Sequence, residues 1–141
     1  MTEPVPVLRH TVLDSTDARA LAEFYRQLLG LVYRPGHEPP ARGEDDEAGR
    51  DWLVLHNPNG PNLAFQHVDR LPRATWPEGE VPQQLHLDLT VSSVEEMDVQ
   101  HQRVLRLGGE LLFDAVGNPE EPLRVYADPA GHPFCIFVWQ H

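Results

Sequence analysis

The chain has 141 residues, 22 of them acidic against 11 basic, and a formal net charge of −11; that balance argues against nucleic acid and anionic membranes as partners, because both need a basic footprint. A single cysteine, Cys135, excludes an internal disulfide and any multi-cysteine metal cluster. No apolar run approaches the ~18 residues needed to span a bilayer, and residues 1–6 lack the basic and apolar regions of a signal peptide, so the expected location is cytoplasmic.

In chain order, alternation predicts a first strand over 5–14. A helix over 17–29 follows, with Leu21, Phe24, Tyr25 and Leu28 at helical spacing, Thr16 or Asp17 as its cap and Gly30 as its stop. A short strand over 31–34 runs into residues 37–51, rich in proline, glycine and acids, where a mobile loop is expected and a lid over a pocket is the alternative. Strands over 52–56 and 63–68 are joined by Asn57-Pro58-Asn59-Gly60-Pro61, a run of turn formers. Residues 69–82 hold three prolines and Trp76 and form a linker, with the Trp expected to dock on something. Gln83 to Val91 alternates again, placing Leu85, Leu87, Leu89 and Val91 on one strand face and His86, Asp88 and Thr90 on the other. Ser93-Val94-Glu95-Glu96 has the spacing of a capping box that opens a helix to Leu107. Strands are then predicted over 110–115, 123–128 and 133–139, the last two turning through Asp128-Pro129-Ala130-Gly131.

The second half repeats the first. Setting His10 on His86 gives an offset of 76 residues that also aligns Asp17 with Ser93, Leu21 with Met97, and Leu28-Leu29 with Val104-Leu105. Each half reads strand, helix, three strands. Neither half is long enough to be more than a marginal folding unit alone, so one domain over 1–141 is expected, with a first module over 5–68, a linker over 69–82 and a second module over 83–139.

A tandem βαβββ module with a histidine on the first strand of each copy resembles the vicinal oxygen chelate superfamily, which includes glyoxalase I, bleomycin-resistance proteins and extradiol dioxygenases. Ala22-Glu23-Phe24-Tyr25-Arg26-Gln27-Leu28-Leu29-Gly30-Leu31 is similar to the helix-ending signature of that superfamily, and Asp128-Pro129-Ala130-Gly131-His132-Pro133-Phe134 to its Asp-Pro-x-Gly-x-Pro-Phe turn. Trp76-Pro77, Pro82 to Leu89 and the cysteine after Pro133-Phe134 are similar to a narrower group, the glyoxalase-like domain proteins frequent in actinobacteria. The resemblance implies an α+β fold, two tandem βαβββ modules forming a curved sheet cup with helices outside, a small-molecule ligand and a homodimer.

In metal-dependent members the ion is held by His or Gln on the first strand of each module and a carboxylate on the last. His10 and His86 match the first-strand positions, but Cys135 and Ala64 stand where the carboxylates belong, with Gln66 two residues on from Ala64. A site with no predicted cofactor is therefore expected; a divalent metal on His10 and His86, with Cys135 as a thiophilic third ligand, is the alternative.

The expected site has His86 as base and Asp88 as the group that orients it, with His10, Gln66, Cys135, Phe137 and Trp139 as ligand-binding residues. For each of these the plain alternative is a satisfied core or seam residue. His56, His67, His101, His132 and His141 read as surface or structural, and Glu44-Asp45-Asp46-Glu47 as a solvated loop. The expected function is binding of a small organic molecule, with metal-free lyase or isomerase chemistry. The alternatives are a non-catalytic drug or natural-product binder, and a metal-dependent lyase or dioxygenase.

Overall fold

A computed structural model describes residues 3–139; the sequence readings that touch residues 1, 2 and His141 lie outside them. The chain divides into two compact units between Val68 and Asp69. The first contains β1 (His10–Ser15), α1 (Ala18–Leu29), β2 (Val32–Tyr33), a 3-10 turn (Ala48–Arg50), β3 (Trp52–His56) and β4 (Asn62–His67). The second contains β5 (Leu87–Val91), α2 (Val94–Leu107), β6 (Glu110–Ala115), β7 (Leu123–Ala127) and β8 (Pro133–Val138). The sheets share one topology, β1-β4-β3-β2 and β5-β8-β7-β6, each with one parallel pair and two antiparallel pairs.

Both helices begin and end as their sequences require. Asp17 accepts from the Ala20 N–H at 3.0 Å, and Gly30 takes the left-handed conformation at φ 67°. Ser93 accepts from the Glu96 N–H at 3.1 Å. Glu96, however, reaches Ser92, accepting from its N–H at 2.9 Å and its hydroxyl at 2.8 Å, rather than the Ser93 amide that a capping box would use. Leu21 and Met97, paired by the repeat, are both fully buried. In the first unit Tyr25 of α1 stacks on Phe65 of β4 at 6.0 Å. In the second, Phe134 of β8 stacks on Tyr126 of β7 at 5.3 Å, and the Tyr126 hydroxyl bonds His101 Nδ1 of α2 at 2.8 Å, which makes His101 structural. Arg124, buried on the α2 side of β7, meets Asp98 at 3.1 Å and Asp114 at 3.3 Å.

The first strands start later than their alternation suggests, and proline explains it. β1 begins at His10 because its partner β4 begins at Asn62, whose N–H donates to the Arg9 carbonyl at 3.0 Å; the residue before it, Pro61, has no N–H to continue the ladder. Residues 5–9 are consequently outside the sheet, with Val5, Val7 and Leu8 exposed. In the second unit Leu87 pairs with Phe134, so His86 would face Pro133, which again lacks the donor. β5 therefore starts at Leu87, and both His86 and Leu85 precede it.

The acidic 37–51 segment is anchored, contrary to the expectation of a mobile loop. Arg19 of α1 grips Asp46 with two bonds, at 2.8 and 2.9 Å, and donates to the His37 carbonyl at 2.7 Å while its guanidinium lies 5.1 Å over the Tyr33 ring. The His37 imidazole accepts the Val54 N–H at 2.9 Å, standing in for a strand carbonyl where β2 has ended. Asp45 pairs with Arg50. Two of the four acids read as a solvated run are thus tied to arginines.

Candidate functional site

The second unit brings three of the sequence-derived residues together. Asp88 and Cys135 are register partners on the parallel pair β5 and β8, so their side chains share one sheet face. His86, just before β5, places Nε2 3.2 Å from Asp88 Oδ1. One donor atom from each of His86, Asp88 and Cys135 lies within 4.8 Å of the other two.

The His86 ring is held on three sides. Trp76 from the linker stacks on it with centroids 5.2 Å apart and planes 12° from parallel. Gln83 donates through its amide to His86 Nδ1 at 2.9 Å and to the Leu85 carbonyl at 3.1 Å, and accepts from Trp76 Nε1 at 3.2 Å. With Nδ1 accepting, the proton of the neutral ring sits on Nε2 and points at Asp88. Both ring nitrogens are therefore engaged, and the free lone pairs of the pair belong to Asp88, whose side chain is 56% exposed.

Cys135 is a free, buried thiol. Burial, and then the Asp88 carboxylate, to which its S–H donates, push its pKa up to about 11. It is a protonated donor at neutral pH, not a poised nucleophile. Replacing Asp88 by Asn removes the negative charge that opposes thiolate formation, so Asp88→Asn is expected to speed alkylation of Cys135 by iodoacetamide at pH 9 by about 3- to 10-fold. Coincident rate-against-pH curves for the two proteins would show that Asp88 does not act on the thiol.

Phe137 lies two residues beyond Cys135 and opposite Thr90, on the same face. With Val138, Trp139, Asn118, Glu120 and Glu121 it lines a cavity of about 430 Å³. Trp139 follows the end of β8, and its N–H donates to the Val91 carbonyl at 2.9 Å. Asp88, Glu120 and Glu121 make this region acidic.

The other two sequence-derived residues belong to the first unit. His10 sits against Trp52, ring centroids 5.8 Å apart, and its buried Nδ1 has no hydrogen-bond partner among the described residues. Burial, then Arg9 and Arg34, hold its pKa below the usual histidine value. Gln66 is exposed, in register with Asp14 on one side and Trp52 on the other. Among residues not singled out from sequence, Gln83 fixes the ring of His86; its signal was its position three residues before that histidine.

A family model for the glyoxalase-like domain matches residues 10–137. The chain belongs to the glyoxalase-like domain family. Among solved structures, a glyoxalase/dioxygenase from Nostoc punctiforme aligns over 100% of both chains at 18% identity and a TM-score of 0.67. A glyoxalase/bleomycin resistance protein/dioxygenase family enzyme from Burkholderia phytofirmans PsJN aligns over 94% of this chain and 98% of its own, at 16% identity and 0.66. The oxidase ChaP-H2 aligns over 100% and 97%, at 22% identity and 0.59. Comparison with the curated proteins finds no match. The family and these neighbours place this glyoxalase-like chain in the vicinal oxygen chelate superfamily, with the α+β glyoxalase/bleomycin-resistance fold of two tandem βαβββ modules. One fold carries many chemistries, so the reaction has to be argued from the residues. Among the described residues no helix is long and apolar enough to cross a membrane.

Proposed function

We propose that this glyoxalase-like protein binds a small, uncharged organic carbonyl compound beside β5 and β8 and removes a proton from the carbon next to the carbonyl, with Asp88 as the base. The observation that supports this reading is the contact of His86 Nε2 with Asp88 at 3.2 Å on a ring whose other nitrogen is already bonded to Gln83. In this reading the roles expected from sequence are exchanged: His86 is the positioning residue and Asp88 the group that meets the ligand. The C–H proton moves to the carboxylate, and its electron pair enters an enolate whose oxygen needs a donor. Thr90, on the same face as Asp88, offers a hydroxyl. Phe137 and Trp139 supply an apolar wall, and the acids around the cavity favour a neutral ligand over an anion. A cytoplasmic homodimer belongs to the same proposal. Deuterium incorporation from D₂O into hydroxyacetone, followed by proton NMR with the wild type and with Asp88→Asn, tests it; binding without exchange would mark the protein as a binder.

A second reading rests on the closeness of His86, Asp88 and Cys135. One nitrogen, one oxygen and one sulfur donor within 4.8 Å of each other fit a zinc ion with an open fourth position, where the metal would polarise a bound carbonyl. Loading must displace the proton of a thiol with a pKa of about 11. This reading therefore predicts 1:1 zinc uptake that weakens about tenfold for each pH unit of acidification and is lost in Cys135→Ala. Competition against a zinc indicator dye between pH 6.5 and 8.5 measures it, and uptake unchanged in Cys135→Ala removes it.

A further inference from the structure

Arg19, Arg26, Arg50, Arg73 and Arg124 each pair with a carboxylate. Arg9 and Arg34, like Arg42, Arg70 and Arg106, do not; neither the Arg9 nor the Arg34 guanidinium has an ion-pair or hydrogen-bond partner among the described residues. Yet both line one cavity of the first unit, of about 470 Å³, together with Val32, Pro35, Val54 and Asn62. Among the described residues no acid lines it, in a chain where acids outnumber basic residues 22 to 11. Five acids of this unit, Glu38, Asp45, Asp46, Glu47 and Asp51, line a different cavity, of about 590 Å³.

Local structure explains how both residues come to line this cavity. Arg9 is fixed just before β1 by the bond from the Asn62 N–H to its carbonyl, and Arg34 just after β2 by its own N–H donating to the Val54 carbonyl at 2.9 Å. The two sit at strand ends of one sheet, and both charges are felt by His10. The Asn62 side-chain oxygen is taken by the Asn57 N–H at 2.9 Å, which leaves its amide N–H groups as donors. Val32, Pro35 and Val54 supply apolar surface between the polar groups.

We propose that this cavity is a binding site for an organic carboxylate, with Arg9 and Arg34 holding the carboxylate and Val32, Pro35 and Val54 packing against an apolar body. Two like charges lining one cavity without a counter-charge among its lining residues are best neutralised by an anion, and the planar guanidinium fork matches a carboxylate with two parallel bonds. The volume suits a single-ring ligand. The inference concerns the first unit alone and does not depend on the His86–Asp88 reading.

Isothermal titration of the full chain in ~50 mM salt, with benzoate, benzamide and inorganic phosphate as probes, tests it. Benzoate is expected to bind at least about tenfold more tightly than either of the others, since benzamide lacks the charge and phosphate lacks the apolar body. Arg34→Gln and Arg9→Gln should each weaken benzoate by about tenfold and leave the melting temperature unchanged, because neither guanidinium has a partner to lose. Arg34→Lys should recover part of the loss, and Asp88→Asn should keep full benzoate affinity. Equal binding of benzamide, equal binding of phosphate, or benzoate affinity unchanged in Arg34→Gln would each overturn the proposal.

Discussion

Phe134→Ala is expected to destabilise the protein by about 3–5 kcal/mol and to lower its melting temperature by roughly 10 °C. Phe134 is fully buried; it pairs with Leu87 of β5 and with Tyr126 of β7, and stacks on the Tyr126 ring. Its removal takes away the burial of the largest apolar side chain in β8 that is shut off from solvent, and leaves a void beside a tyrosine whose hydroxyl is already committed to His101. The cost of that void depends on how far its neighbours relax, and Tyr126 is held at both ends. Phe137→Ala, three residues on and only half-buried, should cost less, under about 2 kcal/mol, because that side chain faces a cavity. Urea denaturation of both variants measures the contrast, and equal losses would mean that the two faces of β8 are not packed as described.

Much of this fold was legible in the residues. α1 and α2 announce themselves through apolar spacing and through caps that the structure uses, Asp17 with Gly30 in α1 and Ser93 in α2. The turn before β8 is written in Asp128, whose carboxylate accepts from the Ala130 N–H at 2.9 Å and the His132 N–H at 3.0 Å, and in Gly131, at φ 95°. Other features depend on which strand lies alongside, and alternation carries no such information. The start of β5 is set by Pro133, about fifty residues away, so Leu85 alternates with its neighbours yet remains half exposed. The anchoring of the 37–51 segment depends on Arg19, a helix residue whose partner Asp46 is far off in sequence.

The candidate site was legible in part for the same reason. That His86 and Asp88 lie close follows from their spacing. That Cys135 joins them follows only from the parallel pairing of β5 with β8. The direction of the pair, with the histidine ring occupied at both nitrogens and the carboxylate facing outward, comes from Gln83 and Trp76, which lie in segments without periodicity or strand pattern.

The largest effect on activity is expected at Asp88. A carboxylate that accepts a carbon-bound proton cannot be replaced by an amide of the same shape, because the amide has no comparable basicity. Asp88→Asn should therefore lower proton abstraction by about 10²-fold or more while ligand affinity changes little. His86→Gln removes the Nε2–H that faces Asp88 but leaves the carboxylate, so a smaller loss, about tenfold, is expected. A site in which His86 were the base would show the opposite order. The measurement that bears most directly on this account is the rate of deuterium incorporation into hydroxyacetone by the wild type, Asp88→Asn and His86→Gln at one pH. The account predicts exchange by the wild type, a fall of about 10²-fold in Asp88→Asn and a lesser fall in His86→Gln; no exchange by the wild type, or equal rates in wild type and Asp88→Asn, would contradict it.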